Sequence, residues 1–551
     1  MGLGKATTIA LDGVEAREVT IEANVGPGLP GIHVVGLADT AITESRARIR
    51  TAVNNTRLPW PKTKVVVSLT PASMPKSGSH FDLPMALAIL TANVQGYSQP
   101  GAGRIDVDAA NADTVFMRDR LRSSLVLGEL GLDGTVRPVS GIVPALLAAK
   151  KLGFTTLVIP PGNAQEALLV PGVKVLVAAT LVDAFAWLTG YRDLPVASDV
   201  AQMESAYTPF VDGSGRPSAE LLDFRDIAGQ HDAKTAAEVA AAGGHHLLLT
   251  GPPGSGKSMI AARLPGILPP LTPEETMEAT AVHSIVGAPG EVIDRPPFVA
   301  PHASVTRAAL LGGGSGNPRP GAVSLAHCGI LFLDEVSEIT APVLDGLRTP
   351  LEEGRVRIVR ARREVSFPAQ FQLVMAANPC RCAAEEPTRC VCKPHQRREY
   401  LRNISGPLRD RLDMVVRLTR QSAVISAAGE ESSAEIRDRV SAARARAAHR
   451  WEADGVRTHV NAAVSSSYLR RHRPADETAM ALLSAYLADG DMSQRGIDRC
   501  LKLAWTLCDL DGGNQPNIDH VARAMHLRGD DTQTARADTG MAGAGIAGEE
   551  K

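Results

Sequence analysis

The sequence lacks long apolar runs, a strong net charge and many cysteines. No uninterrupted apolar stretch in the 551 residues reaches membrane-spanning length, which argues against a transmembrane helix. The net charge of −2 excludes a globally basic nucleic-acid binder but allows a local basic stripe. Seven cysteines, four of them clustered, do not suggest a secreted disulfide scaffold. The segment Met1 to Ala6 resembles neither a secretory nor a myristoylation signal, so we expect a cytoplasmic protein without membrane partners.

The chain length suggests two or three domains, and changes in composition suggest where they lie. Mixed strand and helix patterns come first, a Pro- and Gly-containing polar stretch follows, and helical periodicity dominates the last third. We therefore predict an α+β domain at 1–190 with a surface insertion at about 96–122, a linker at 191–218, an α/β core at 219–420, a helical lid at 421–528 and a disordered tail at 529–551.

A phosphate-binding P-loop is the most specific motif. The pattern G-x-x-x-x-G-K-[ST] is matched by Gly251, Pro252, Pro253, Gly254, Ser255, Gly256, Lys257 and Ser258. An apolar strand precedes the loop and a helix follows it, as this motif requires. Glycines let backbone N–H groups surround phosphate oxygens, and the helix N-terminus adds partial positive charge. The motif predicts ATP binding, with Lys257 on the phosphates and Ser258 on Mg²⁺; a plain Gly-rich turn is the alternative.

Two further apolar strands end in polar residues. The run Gly329 to Leu333 ends at Asp334 and Glu335, and a later strand ends at Asn378. In a parallel sheet, such strand ends converge on one ligand. We assign Asp334 to Mg²⁺, Glu335 to polarising the attacking water, and Asn378 to orienting that water. A helix cap is the alternative role for the Asp–Glu pair.

An arginine-rich segment separates those two strands. Apolar and basic residues alternate in its first arm, which predicts a β-hairpin with a charged face. We assign DNA contact to Arg355, Arg357, Arg360, Arg362 and Arg363, since arginines in such density can follow a phosphate backbone. A solvated surface hairpin, or arginine pairing between subunits, is the alternative.

Four cysteines follow Asn378 in two C-x-C pairs, formed by Cys380, Cys382, Cys390 and Cys392. Four thiolates suit tetrahedral Zn²⁺, although the usual spacing is C-x₂-C. Two disulfides are the alternative, and His395 is a substitute ligand.

Taken together, these motifs resemble the AAA+ ATPases, and within them the ComM/YifB family of the magnesium-chelatase-like group. The motifs occur in family order, and the resemblance spans roughly residues 5 to 528, including Ser405 to Asp413 and Ser493 to Gly496. It implies a P-loop AAA+ parallel-sheet core with a C-terminal helical lid, and a homo-hexameric ring. The family also carries the four-cysteine cluster.

The resemblance assigns two arginines to ATP hydrolysis. Arg411 matches the finger that reaches a neighbouring subunit's nucleotide, with Arg409 as a rival. Arg495 matches a second sensor that touches the γ-phosphate of its own subunit. An ion pair with a nearby aspartate is the alternative for either arginine. The segment Asp223 to Gln230 matches the family stretch near the adenine.

The N-terminal block resembles the Lon-protease C-terminal fold through Pro75 to Met85 and Gly128 to Lys150. Lon-type proteases need a Ser–Lys dyad, since serine alone is a weak nucleophile. Along that pattern the two positions fall on His80 and Val143, so we predict a non-catalytic Lon-like domain and no peptide hydrolysis.

Three functions share these motifs. The first is a hexameric ATPase that translocates DNA and moves branches during recombination or DNA uptake. The second is the motor of a magnesium chelatase, and the third is a protein-remodelling ATPase. The Lon-like block and cysteine cluster favour the first, as does the Arg-rich hairpin, although basic pore loops also occur in protein remodellers.

Overall fold

The computed structural model describes most of the chain in two α/β regions and a set of C-terminal helices. The described residues are 2–36, 39–72, 74, 76–93, 114–207, 222–287, 289–314, 318–360, 363–382, 384, 389–393, 395–396, 400, 402–419 and 430–529. Among them, no helix combines the length and apolar character needed to cross a bilayer.

The N-terminal region is built on a mixed seven-stranded sheet with the strand order β3-β4-β2-β1-β5-β8-β9. Its sheet strands are β1 (Gly2–Asp12), β2 (Glu15–Gly26), β3 (Gly31–Val35), β4 (Lys64–Thr70), β5 (Ser124–Val126), β8 (Thr156–Ile159) and β9 (Lys174–Val177). A small ribbon joins β6 (Glu129–Leu130) and β7 (Val136–Arg137). Its helices are α1 (Thr40–Asn55), α2 (Asp82–Ala92), α3 (Thr114–Ser123), α4 (Ile142–Leu152), α5 (Ala164–Ala167), α6 (Leu181–Thr189) and α7 (Ala197–Tyr207).

Helices cover both faces of this sheet because its strands alternate apolar residues between two cores. On β1, Ala6 and Ala10 face one cluster of buried side chains, whereas Ile9 faces the other. Every residue of α2 is buried, and that helix packs on β1 and β2. The region therefore has an α+β sandwich of its own.

The predicted insertion and the predicted linker each contain a helix. Within the predicted insertion at 96–122, α3 buries Met117 and Leu121 against the sheet. Within the predicted linker at 191–218, α7 buries Ala197 and Ala201. The polar composition of these segments did not predict the helices, because the tertiary packing of only a few small or apolar residues stabilises them. The rest of both segments lies outside the described residues, as does the predicted tail beyond Gly529.

The central region is built on a five-stranded parallel sheet with the strand order β11-β14-β17-β10-β18. Its strands are β10 (Leu247–Thr250), β11 (Phe298–Val299), β14 (Ile330–Leu333), β17 (Gln372–Ala377) and β18 (Met414–Arg417). Two short ribbons join β12 (Gly312–Gly313) to β13 (Arg319–Pro320) and β15 (Arg355–Arg360) to β16 (Arg363–Pro368). The helices are α8 (His231–Gly243), α9 (Lys257–Ile267), α10 (Pro273–His283), α11 (Arg307–Leu311), α12 (Ala322–Leu325), α13 (Ala341–Leu344), α14 (Arg348–Glu353) and α15 (Gly406–Arg409).

Buried strands explain why this sheet is parallel and covered on both faces. Every residue of β14 and β17 is buried, as expected for a sheet covered by packing on each side. The prediction of a parallel-sheet α/β core is thereby confirmed.

The C-terminal residues form five helices that pack on the central region. They are α16 (Ser433–Ala453), α17 (Ser466–His472), α18 (Glu477–Ala488), α19 (Gln494–Leu510) and α20 (Ile518–Arg528). Helix α16 contacts α8, α9 and α19, and α20 contacts β18. A T-shaped contact between Trp451 and Trp505, with ring centroids 6.0 Å apart, lies between α16 and α19.

The described parts of the N-terminal and central regions touch at several places. The turn between β1 and β2 lies against the Arg-rich hairpin, where Gly13 has a φ of +70° and approaches Val365 and Phe367 of β16. Through Ala281 and Met277, helix α10 packs against the buried cluster of the N-terminal region that contains Ile9. The base of the hairpin is therefore held by the N-terminal region.

Candidate functional site

The P-loop connects β10 to α9 at the carboxyl edge of the central sheet. Gly254 and Gly256 have φ values of +73° and +92°, which glycine adopts without steric cost, and Gly256 caps the N-terminus of α9. The loop thus presents backbone N–H groups at a helix N-terminus, an arrangement that binds phosphate.

Asp334 and Glu335 follow β14, two strands away from the P-loop strand. Ser258 Oγ donates to Asp334 Oδ2 at 2.6 Å. Neighbouring ligands of an octahedral Mg²⁺ lie about 3 Å apart, so these two oxygens are spaced to share one ion. Glu335 is exposed and has a φ of +48°, an uncommon conformation for a side chain of this kind, at the end of its strand.

The side chain of Lys257 links the P-loop to the residue that follows β17, the strand between β14 and β10. Its Nζ donates to Asn378 Oδ1 at 3.0 Å and to the carbonyls of Gly251 and Pro252. Burial lowers the pKa of Lys257, and the charges of Asp334 and Glu335 oppose that effect. The predicted phosphate, metal and water-positioning residues thus converge at one edge of the sheet.

The segment from Asp223 to Gln230 lies beside the P-loop. Gln230 Nε2 donates to the carbonyls of Ser255 at 3.2 Å and Thr419 at 2.8 Å. Arg263 of α9 donates to the Asp223 carbonyl at 2.6 Å and pairs with Asp226. The fold brings this segment to the P-loop, and no sequence motif predicts the hydrogen bonds by which Gln230 holds that loop.

Arg411 lies at the opposite edge of the same sheet. Asp413, just before β18, donates its backbone N–H to the His246 carbonyl, just before β10. The amino ends of these parallel strands therefore lie level with each other, one strand length of about 13 Å from the P-loop edge. Arg411 precedes that edge by two residues, pairs with Glu352 and donates to the Pro407 carbonyl at 2.7 Å.

Arg495 is placed beside Arg411 and not at the P-loop. Its Nη1 donates to Asp410 Oδ2 at 3.0 Å. Both arginines line two adjoining clefts of about 470 and 580 Å³. The predicted contact of Arg495 with the phosphate of its own subunit is therefore wrong for this structure, because α19 docks on the amino edge of the sheet.

Buried polar groups hold the arginine-bearing segment in place. Arg499 of α19 donates to the Leu412 carbonyl and lies 3.8 Å from Asp413 Oδ1. Burial opposes ionisation of Asp413, but the hydrogen bond and charge of His245, with the charges of His246 and Arg499, hold the pKa of Asp413 well below its usual range. This network ties the segment before β18 to the C-terminal helices.

The predicted Arg-rich hairpin is present as β15 and β16. The strands pair antiparallel from Arg355 opposite Pro368 to Arg360 opposite Arg363. Val356 and Ile358 are buried, whereas Arg355, Arg357 and Val359 share the exposed face.

Two of the five arginines assigned to the charged face, Arg355 and Arg357, lie on the exposed face of the hairpin. Arg362 lies outside the described residues. Arg357 Nη2 also pairs with Glu353 Oε2 at 2.9 Å.

The four predicted zinc ligands lie together beside the end of β17. The Sγ atoms of Cys380, Cys382, Cys390 and Cys392 all lie within 4.8 Å of one another. Burial raises the pKa of Cys380 to about 12, whereas hydrogen bonds from Cys380 and from the backbone of Ala384 lower the pKa of Cys382 to about 6. Four free thiols at this spacing fit a tetrahedral ion.

The N-terminal positions that correspond to a protease dyad cannot perform that chemistry. His80 is buried, its Nε2 lies 2.8 Å from the Ile9 carbonyl, and burial lowers its pKa to about 4. Val143 is fully buried. Ser79 instead donates to Glu129, and Lys76 Nζ donates to backbone carbonyls, one of them that of Leu69 at 3.2 Å.

Three family models match most of the sequence. Models described as magnesium chelatase subunit ChlI match residues 223–425, as subunit ChlI of Mg-chelatase residues 21–163, and as the ChlI C-terminal part residues 430–528.

Three similar proteins match over almost their whole length. An uncharacterized Mycobacterium tuberculosis protein, Rv2897c, is 46% identical over 96% of this chain and 99% of its own. Competence protein ComM of Haemophilus influenzae is 37% identical, over 96% and 98%. YifB of Escherichia coli is 34% identical, over 96% and 97%. With the P-loop, Asp334 and Asn378 at one sheet edge, the chain therefore belongs to the ComM/YifB family of magnesium-chelatase-like AAA+ ATPases.

Proposed function

We propose that this protein forms a homo-hexameric ring that couples ATP hydrolysis to translocation along DNA and to branch migration. The observation that carries the proposal is the separation of the site into two edges of one sheet. The P-loop, Asp334 and Asn378 lie at the carboxyl edge, whereas Arg411 lies at the amino edge. A complete site requires the amino edge of one copy to face the carboxyl edge of the next, and repeating that contact closes a ring.

ATP and Mg²⁺ fit the carboxyl edge. The P-loop N–H groups and Lys257 would hold the phosphates, and Ser258 and Asp334 would hold the ion. The ion supplies charge neutralisation on the phosphates when bound. Glu335 is exposed next to this pair, where it would accept a proton from the attacking water, and Asn378 would orient that water.

DNA is the proposed substrate because the hairpin exposes two arginines on one strand face. Arg355 and Arg357 are two residues apart, so their side chains lie roughly 7 Å apart along the strand, close to the phosphate spacing of an extended single strand. The base of this hairpin packs on the N-terminal region, which would anchor the hairpin while it moves. A relative that matches over nearly its full length is named a competence protein, which favours DNA.

Zinc is the proposed occupant of the four-cysteine cluster, with a structural role. The cluster lies between Asn378 and the segment that carries Arg411, so an ion there would order the connection between the two edges of the site.

A magnesium-chelatase motor is the second candidate function, because the matching family models are described as subunits of that enzyme. A branch-migration experiment separates the two. A synthetic four-way junction, with ATP and Mg²⁺, should be converted to duplex arms by the wild type but not by Glu335→Gln. A wild type that hydrolyses ATP and leaves every branched DNA unchanged would contradict the DNA proposal.

A further inference from the structure

Three arginines from distant parts of the chain line one cleft at the amino edge of the central sheet. Arg348 begins α14, Arg411 follows α15 and Arg495 lies in the first turn of α19. The cleft has a volume of about 580 Å³. Its other lining residues are Asp345, Thr349, Glu352 and Pro407. The sequence motifs point to Arg411 and Arg495, but no motif points to Arg348.

Each arginine of this cleft is held by one carboxylate. Arg348 Nε lies 3.9 Å from Asp345 Oδ1, Arg411 pairs with Glu352, and Arg495 pairs with Asp410. The side chains of these three carboxylates are between 40% and 62% exposed. Ion pairs at this exposure exchange easily, so a stronger anion can take over the arginines.

The ion pair between Arg348 and Asp345 is the longest of the three, and it does not explain why Arg348 lies in this cleft. The distance of 3.9 Å is at the outer limit of an ion pair, and Asp345 Oδ1 already accepts a hydrogen bond from Ser405 Oγ at 2.7 Å. The side chain of Arg348 is 39% exposed and lines the cleft together with Arg411. Burial lowers the pKa of Arg411, and the charges of Arg348 and Arg495 add to that effect. Three arginines that can each exchange an exposed carboxylate partner suit a multiply charged anion.

We infer that Arg348 is a third arginine that contacts the triphosphate bound to the P-loop of a neighbouring copy of this chain. The inference rests on the proposed ring, in which the amino edge of one copy faces the carboxyl edge of the next. A planar guanidinium donates two parallel hydrogen bonds to a phosphate group, and three of them surround the terminal phosphates from one side. The nucleotide of the same copy is not the target, because its P-loop lies at the opposite edge of the sheet.

The variant that tests this is Arg348→Ala, with Arg523→Ala as the matched control. Arg523 is also partly exposed and pairs with one aspartate, Asp511, but lies outside the cleft on α20. The rate of steady-state ATP hydrolysis at saturating ATP should fall about tenfold or more in Arg348→Ala. This loss should be smaller than the roughly 10³-fold loss caused by removing an arginine finger. The rate should stay unchanged in the control. Wild-type turnover in Arg348→Ala would overturn the inference.

A subunit-mixing experiment distinguishes contact with a neighbour from a structural effect. Arg348→Ala is mixed with Glu335→Gln, which lacks turnover but still carries Arg348. If Arg348 acts across the interface, the Glu335→Gln copy supplies the missing arginine and hydrolysis recovers severalfold. A loss of turnover that mixing does not restore would overturn the inference.

The same mixing with Arg411→Ala separates this inference from the proposed function. If Arg411→Ala is restored and Arg348→Ala is not, the ring stands and the role of Arg348 falls. If neither is restored, no arginine acts between copies and both proposals fall. Unchanged turnover in Arg348→Ala with weakened DNA affinity would assign the cleft to DNA and contradict the inference.

Discussion

Arg495 donates a hydrogen bond to Asp410 at 3.0 Å, across 85 positions of the sequence, at a point where the C-terminal helices meet the core. It places the first turn of α19 beside Arg411. The two arginines that the family resemblance assigns to opposite sides of an interface therefore lie on the same side of one chain. In the proposed ring, both of them would reach the nucleotide of a neighbouring copy.

Replacing Arg495 should separate ATP binding from ATP turnover. Arg495→Ala should bind ATP within about threefold of the wild type, because the P-loop of the same chain lies at the other edge, and should lose turnover by about 10²-fold or more. Binding is measured by titration with a fluorescent ATP analogue, with Lys257→Ala as the control that loses binding. If Arg495→Ala loses as much ATP binding as the control, Arg495 contacts the ATP of its own subunit, and the account is wrong on this point.

Local motifs allowed the carboxyl edge of the site to be predicted from the sequence. The P-loop, Asp334 and Asn378 each sit at the end of an apolar run, and the parallel order of β14, β17 and β10 brings those ends together. Such positions follow from strand geometry alone.

The amino edge could not be predicted in the same way. The placement of Arg495 depends on the docking of α19 against residues 410–413, and that of Arg348 depends on a short helix between two strands. Neither helix carries a signal for what it faces. The helices α3 and α7 were missed for a related reason, because burial of only a few residues stabilises them.

The hairpin arginines should set the salt dependence of DNA binding. Arg355→Ala combined with Arg357→Ala should weaken binding to single-stranded DNA and reduce the slope of log affinity against log salt by about 1 to 2. The measurement is fluorescence anisotropy at several salt concentrations, with Arg523→Ala as the control. An unchanged slope in the double variant would show that these arginines do not contact phosphates.

The cysteine cluster should hold one zinc ion per chain. Metal analysis of protein purified without chelator should find about one equivalent, and Cys382→Ser should lose it, because three thiolates and one hydroxyl bind Zn²⁺ more weakly. Cys508→Ser, a free cysteine that belongs to no group of possible metal ligands among the described residues, serves as the control and should retain the ion. A wild-type protein that is folded and contains no zinc would contradict the assignment.

Glu166 should make the stability of the protein depend on pH. This buried carboxyl lies where the N-terminal region meets the loop at Gly290, and burial raises its pKa to about 7. A raised pKa means that its contribution to stability is fully present below the unfolded value of about 4.5 and is lost as the pH rises through 7. The corresponding loss is at most about 3 kcal/mol.

The change that tests this is Glu166→Gln, which cannot ionise. Relative to the wild type, the variant should gain stability between pH 5 and pH 8 in urea unfolding. Glu18→Gln, an exposed glutamate of the same region, should show no such trend. Equal pH dependence in Glu166→Gln and the wild type would rule out a raised pKa.

The most direct test of the central claim is steady-state ATP hydrolysis with and without DNA. Turnover by the wild type should rise severalfold on adding single-stranded or four-way-junction DNA, and Glu335→Gln should show no turnover under either condition, because its side chain cannot accept a proton from the attacking water. Wild-type turnover that depends on Glu335 but is indifferent to every DNA would contradict the claim that this ATPase acts on DNA.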